Sequence, residues 1–157
     1  MSLTLSLAGL QVTIETFTDT VYPRVTVQQL SAVEFSSLGT PSIQGTYFEP
    51  KFMWQFSALV DRNSRHLIEA IAHEFQTRRR ALEDCDILII DTTAPIVERS
   101  PRSRAIADGA TETLIGTNHV AYYAQFLAGV TDGPRFTIGG RKDLVQLTLT
   151  ETVRLEP

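Results

Sequence analysis

The sequence predicts a mainly β chain with one helix, an α+β class, built as an antiparallel β-sandwich or open barrel flanked by a single α-helix. Three observations predict it. Apolar and polar residues alternate with period two in stretches from Leu3 to Leu155, which marks strands with one buried and one wet face. A convincing helical spacing of apolar residues occurs once, over Ser64–Leu82. One helix cannot cover both faces of two sheets, so the strands must cover one another.

Leu3, Leu5 and Leu7 alternate with Thr4 and Ser6, and Val12 and Ile14 with Gln11, Thr13 and Glu15; Gly9 is the natural bend between the two strands. A short third strand is expected at Arg24–Leu30, with Pro23 at its start because proline cannot donate to a ladder. Ser31–Pro50 lacks periodicity and carries Gly39, Pro41, Gly45 and Pro50. So long an irregular stretch is unusual inside a compact domain. Phe35, Leu38, Ile43, Tyr47 and Phe48 make it too apolar for a solvated linker. Two readings stand: a loop docked on another subunit, or one packed on its own domain.

Lys51–Val60 is the strongest strand, with Phe52, Trp54, Phe56, Ala58 and Val60 on one face. Asp61, Asn63 and Ser64 then offer helix-capping side chains. In the helix, Leu67, Ile68, Ile71, Ala72, Phe75 and Leu82 form the apolar stripe, and Arg78, Arg79 and Arg80 oppose the negative end of the dipole. Asp86–Thr92 reads as a buried strand and Pro95–Ser100 as a further short one. A second irregular region spans Ser100–Gly109, strands occupy Thr111–Ala128, and Thr131-Asp132-Gly133-Pro134 signals a turn. In the last strand Val145, Leu147, Leu149, Val153 and Leu155 share a face that Glu151 interrupts. Strand faces carrying Thr, Ser and Gln suit solvent or a copy of the same surface.

The 157 residues amount to one domain, 1–157, with long loops at about 31–50 and 100–110. A chain 43% hydrophobic and 20% charged is globular, and its net charge of −4 argues against bulk electrostatic nucleic-acid binding. Apolar runs such as Ile87–Ile90 fall far short of the roughly 20 residues a bilayer span needs. Met1–Leu10 lacks a basic region and reads as a strand, not a signal peptide. The single Cys85 excludes an internal disulfide and a multi-cysteine zinc site, which fits a protein made and used inside a cell.

The candidate chemistry reads as structural. His66, Glu69 and His73 share a helix face, but His73-Glu74-Phe75-Gln76-Thr77 has Thr where a zinc-protease helix needs its second histidine. Asp84 and Asp86 mark the helix-to-strand turn and Asp91 a strand end, and no histidine neighbours Cys85 in sequence. Gly139-Gly140-Arg141-Lys142 lacks the spacing of a phosphate loop and reads as a hairpin turn. Arg99, Arg102 and Arg104 lie in a Pro-containing loop and need an acidic or exposed destination: an adjacent subunit, bare solvent or passing nucleic acid.

The layout of strands, long loop, Trp-bearing strand (Lys51-Phe52-Met53-Trp54-Gln55-Phe56), one helix and further strands resembles the tail-tube fold of bacteriophage tails and related distal-tail and baseplate-hub proteins. The stretch from Ile89-Ile90-Asp91 to Glu98-Arg99-Ser100-Pro101-Arg102-Ser103-Arg104 carries the resemblance most closely. The likeness covers most of the chain and lies in element order and length, not in a diagnostic motif. It implies a structural, non-enzymatic virion protein with no catalytic residues, cofactor or metal. It implies a homo-oligomeric ring, commonly sixfold, assembled in the host cytoplasm against adjacent tail or baseplate proteins, with no membrane and no specific nucleic-acid binding. The expected subunit interface comprises Phe35, Leu38, Ile43, Tyr47, Phe48, Arg99, Arg102 and Arg104. The alternative is a small β-barrel module for an apolar or sugar ligand, with Phe52, Trp54, Phe56, Tyr122 and Tyr123 lining its cavity. An enzyme using His73 with Glu74, or the Asp84–Asp91 region, ranks behind both.

Overall fold

The structure is a computed structural model that describes residues 1–18, 23–26, 32–35, 37–39, 41–44 and 51–157; for 32–35 and 41–44 the description is of the backbone. Its strands are β1 (Leu3–Leu7), β2 (Leu10–Ile14), β3 (Arg24–Thr26), β4 (Ala32–Phe35), β5 (Pro41–Gln44), β6 (Phe52–Val60), β7 (Ile87–Arg99), β8 (Thr113–Ile115), β9 (His119–Thr137) and β10 (Asp143–Glu151), with the helix α1 (Arg62–Arg80) between β6 and β7. The class is as expected: mainly antiparallel β, with one helix among the described residues. An eight-stranded sheet runs β2-β1-β7-β9-β10-β6-β3, with β8 added to β9, and it is open, not closed. Its two ends approach each other. Phe17, just beyond β2, bridges to Ala58 of β6 along the edge that β3 also uses.

The period-two pattern places the core. Leu3, Leu5, Leu7, Val12, Ile14, Trp54, Phe56, Ala58 and Val60 are all buried, and Val145, Leu147 and Leu149 face them from β10. Helix α1 adds Ile68, Ile71 and Phe75 to the same cluster. Phe75 lies so close to β9 that a Cβ on Gly129 would sit 3.2 Å from its ring, so glycine there makes room for the helix. The β1–β2 hairpin turns on Ala8 and Gly9, both at positive φ (51° and 81°), the pattern of a type I′ turn that matches strand twist.

Several boundaries differ from expectation, each for a local reason. The helix starts at Arg62, not Ser64, because Asp61 is the N-cap: its side chain accepts from the Ser64 N–H at 2.7 Å. Leu82 is no part of the apolar stripe. The helix ends in a Schellman motif, with the Leu82 N–H donating to Arg79 O and the Glu83 N–H to Arg78 O. That motif puts Leu82 at φ 57° and leaves it 93% exposed. An L-residue other than Gly or Asn is disfavoured in this conformation. Leu82→Gly is therefore expected to stabilise the fold by about 1 kcal/mol, read as a higher urea midpoint; an unchanged or lower midpoint would mean that Leu82 gains more from contact than it loses in strain.

The segment 31–50 holds regular structure after all. β4 and β5 pair antiparallel from Ala32↔Gln44 to Phe35↔Pro41 and form a sheet of their own. Of the expected third strand, Arg24–Thr26 is formed, and 27–30 lie outside the described residues. The expected strands Asp86–Thr92 and Pro95–Ser100 are one strand, β7, whose register jumps between Asp91 and Ile96. Likewise Asp132-Gly133-Pro134 is no turn. β9 runs through it, and the pairing with β10 slips between Gln146 and Thr148, which absorbs the extra residues as a bulge. The chain does turn at Gly139–Lys142, between β9 and β10, as expected. The last strand stops at Glu151, and Val153 is exposed.

Candidate functional site

The helix covers one end of the core, near Val60, where β6 passes into Asp61. Further back along β6, Trp54 and Phe52 mark a second region, where the interior becomes polar. Strand alternation points Trp54 of β6, Asp91 of β7, Phe126 and Tyr122 of β9 and Glu151 of β10 inward, all buried. Two arginines enter from short segments: Arg24 from β3, and Arg104 from the loop after β7.

Asp91 is the first centre. Its Oδ2 accepts from Arg24 NH1 at 2.9 Å and from Trp54 Nε1 at 3.0 Å, and its Oδ1 accepts from the Thr93 N–H at 2.8 Å and from Thr93 Oγ1. Arg24 NH2 donates on to Pro95 O at 3.2 Å. Burial holds the Arg24 guanidinium below its usual pKa, against the opposing pull of Asp91 and Glu151; an arginine nonetheless keeps its charge.

Glu151 is the second centre. Its two oxygens accept a fork from Arg104, Nε at 3.0 Å and NH2 at 3.2 Å, and Oε2 also accepts from the Phe52 N–H at 3.0 Å. A planar two-pronged donor suits a buried carboxylate better than an ammonium would. Both guanidiniums lie over the same two rings. Arg24 Cζ is 5.2 Å and Arg104 Cζ 4.9 Å from the Phe52 centroid, and both also lie within reach of Phe126.

Glu98 and Tyr122 extend the network. Tyr122 OH donates to Glu98 Oε1 at 2.6 Å and accepts from the Arg104 N–H at 3.2 Å, while the Ser103 N–H and Oγ donate to the Glu98 carboxylate. Burial pushes the Glu98 carboxyl up, but the hydrogen bonds from Tyr122 and Ser103, with the nearby Arg104 charge, together bring it below its ordinary value. Burial, then the bond to the Glu98 carboxylate, pushes the Tyr122 phenol up to about 12. The sign follows from linkage: an acid whose folded pKa is raised above its unfolded value of 10.0 stabilises the fold below pH 10 and loses that contribution as pH rises toward about 12. Wild type should thus lose stability between pH 10 and about 12 in denaturant titrations, and Tyr122→Phe should flatten that limb; an identical alkaline limb in both would show that Tyr122 ionises equally in the two states.

The interface residues expected from sequence divide. Tyr47 and Phe48 lie outside the described residues. Phe35 ends β4 and Ile43 lies in β5. Leu38 is exposed at the hairpin's tip. Arg99 is exposed, and Arg102 pairs with Glu112 of its own chain at 3.0 Å. Arg104 is corrected: it is buried, and the acidic group it needs is Glu151 of its own chain, so its side chain is not presented to a neighbouring subunit. Asp91 is likewise no strand-end marker but a buried hub. The interruption at Glu151 and the need of Arg104 for an acidic or exposed destination are the sequence signals of this network, whereas Arg24 carries none.

Trp54, Phe56 and Tyr122 are packed in the core, with Phe52 against it, and Tyr123 is on the opposite face, partly exposed. His66 and His73 are exposed on the helix, and among the described residues no group of three His, Cys, Asp or Glu side chains gathers as for a metal. No described helix is long and apolar enough to cross a membrane. What the network does chemically is hold β3, β6, β7, β9, β10 and the 100–107 loop in one arrangement through charge-opposed, hydrogen-bonded groups.

Compared with protein-family models and with curated proteins, the chain matches none of either.

Proposed function

We propose that this chain is a structural component of a phage tail or tail-like particle that assembles into a homo-oligomeric ring, in the tube, at the distal tail or in the baseplate hub. The observation that carries the reading is the β4–β5 hairpin. It forms a sheet separate from the eight-stranded one, inside a segment rich in apolar residues. A lone two-stranded hairpin is marginal in water and gains most from a surface to lie on. The outer face of β6 and β10 adds support. There Met53, Gln55 and Ser57 pair with Thr150, Thr148 and Gln146, a stretch without charge that suits contact with a like surface.

The test is the mass of the purified protein by light scattering on a sizing column, followed by negative-stain imaging. A discrete oligomer seen as a ring or tube is the expected result. A species that stays at 17.5 kDa at every concentration, with no rings on the grid, would overturn the proposal.

A further inference from the structure

The outer side of α1 forms a groove of about 350 Å³ with the bulged part of β9. His73, Thr77 and Arg80 line one wall and Val130, Gly133 and Pro134 the other. Along the helix, Glu69 marks one end of the groove and Arg80 the other. Both walls are fixed by the fold. The close approach of Phe75 to Gly129 sets the distance of the helix from β9. Gly133, at φ 86°, carries the bulge, and a Cβ there would lie 2.8 Å from Gln146 O, a clash that glycine avoids.

The polar groups of this groove are unspent. Arg78 in the same helical turn pairs with Glu74 at 2.7 Å and donates to Asp84 O at 3.2 Å, and Glu69 pairs with Arg65 at 3.6 Å. The side chains of His73, Gln76, Thr77 and Arg80 make no hydrogen bond or ion pair with the described residues. Spacings of four and three residues place His73, Thr77 and Arg80 in line over about 10 Å of helix. Helical side chains lean toward the N-terminus, which directs Arg80 back over the turn of Gln76 and Thr77. Ala72, Val130 and Pro134 supply apolar surface beside them.

We infer that this groove binds a small organic anion, its head held by the Arg80 guanidinium with Thr77 Oγ1 and the His73 ring, its apolar body lying on Ala72, Val130 and Pro134. Arginine offers two parallel donors to a phosphate or carboxylate. Glu69 at the other end repels the head and so gives the ligand a direction. The volume lies within the range of small-molecule pockets. The site goes beyond the assembly reading and does not depend on it.

The test titrates the full chain with phenyl phosphate and with benzoate and follows the His73 ring signals by NMR. Saturable binding of at least one probe is expected. Inorganic phosphate, which lacks the apolar body, and benzyl alcohol, which lacks the charge, should each bind at least about tenfold more weakly. Arg80→Gln should weaken binding about tenfold or more, and Ala72→Leu, which fills the groove, should weaken it too. Arg79→Gln, exposed but off the groove, should leave it unchanged. All three positions lie outside the buried core, so the far-ultraviolet spectra should match wild type. No saturable binding of either probe would overturn the proposal. Equal weakening by Arg79→Gln and Arg80→Gln would do the same, because it shows general attraction to the basic end of the helix. Inorganic phosphate binding as tightly as the probes would also sink it. The mass by light scattering is read separately, so failure here leaves the assembly reading standing.

Discussion

Arg104→Ala is expected to lower the unfolding free energy by about 3–5 kcal/mol, because it strands a buried carboxylate without its counter-charge. Glu151 is buried and receives both prongs of the Arg104 fork. After the substitution it keeps only the Phe52 N–H of the donors described for it. Equilibrium unfolding in urea, followed by Trp54 fluorescence, would measure the loss. The paired change Arg104→Met with Glu151→Leu should recover most of it, because both charges leave together. The recovery should be incomplete, because the half-buried Phe52 N–H loses its acceptor. A loss of less than about 1 kcal/mol for Arg104→Ala would instead assign the pair to the class of surface ion pairs screened by water.

Asp91→Ala should be at least as damaging, again about 3–5 kcal/mol, since four donors from three residues depend on that carboxylate. Arg24 loses its counter-charge, and Trp54 Nε1 and the Thr93 N–H lose their acceptor. Arg24→Met is the informative contrast. It removes the charge from the other side and leaves Asp91 bound to Trp54 and Thr93, so it should cost less. Its effect should be local. Among the described residues β3 pairs with β6 from Arg24 to Thr26, a short ladder to which the clamp to β7 adds a second attachment. Hydrogen exchange should therefore quicken in β3 before it does in β9 or β10. Uniform acceleration across the sheet would mean that β3 is secured by its backbone pairing alone.

Alternation made the faces of β1, β2, β6 and β10 legible, because burial of one side of a strand leaves a period-two trace that no distant contact can hide. The stripe Ile68, Ile71 and Phe75 was legible for the same reason at helical spacing. What stayed hidden falls into two kinds. Continuity was one: β7 and β9 run through Pro95 and Gly133-Pro134, where local chemistry says turn, because a bulge in a long paired strand tolerates those residues equally well. Pairing of charges was the other. Arg104 and Glu151 are 47 residues apart and Arg24 and Asp91 67 apart, and nothing local distinguishes a loop arginine that reaches solvent from one that reaches a core carboxylate.

The sequence by itself determined the fold class, the single helix, the inward faces and the presence of an acidic residue on an otherwise apolar face of the last strand. These follow from periodicity and capping, which act within a few residues. Only the tertiary structure decided that most strands join in one open sheet, that β4 and β5 pair as a second sheet, and that two arginine–carboxylate pairs share the space around Phe52 and Phe126. Those outcomes depend on which distant strands become neighbours, and a buried charge takes whichever partner that arrangement brings within hydrogen-bonding distance.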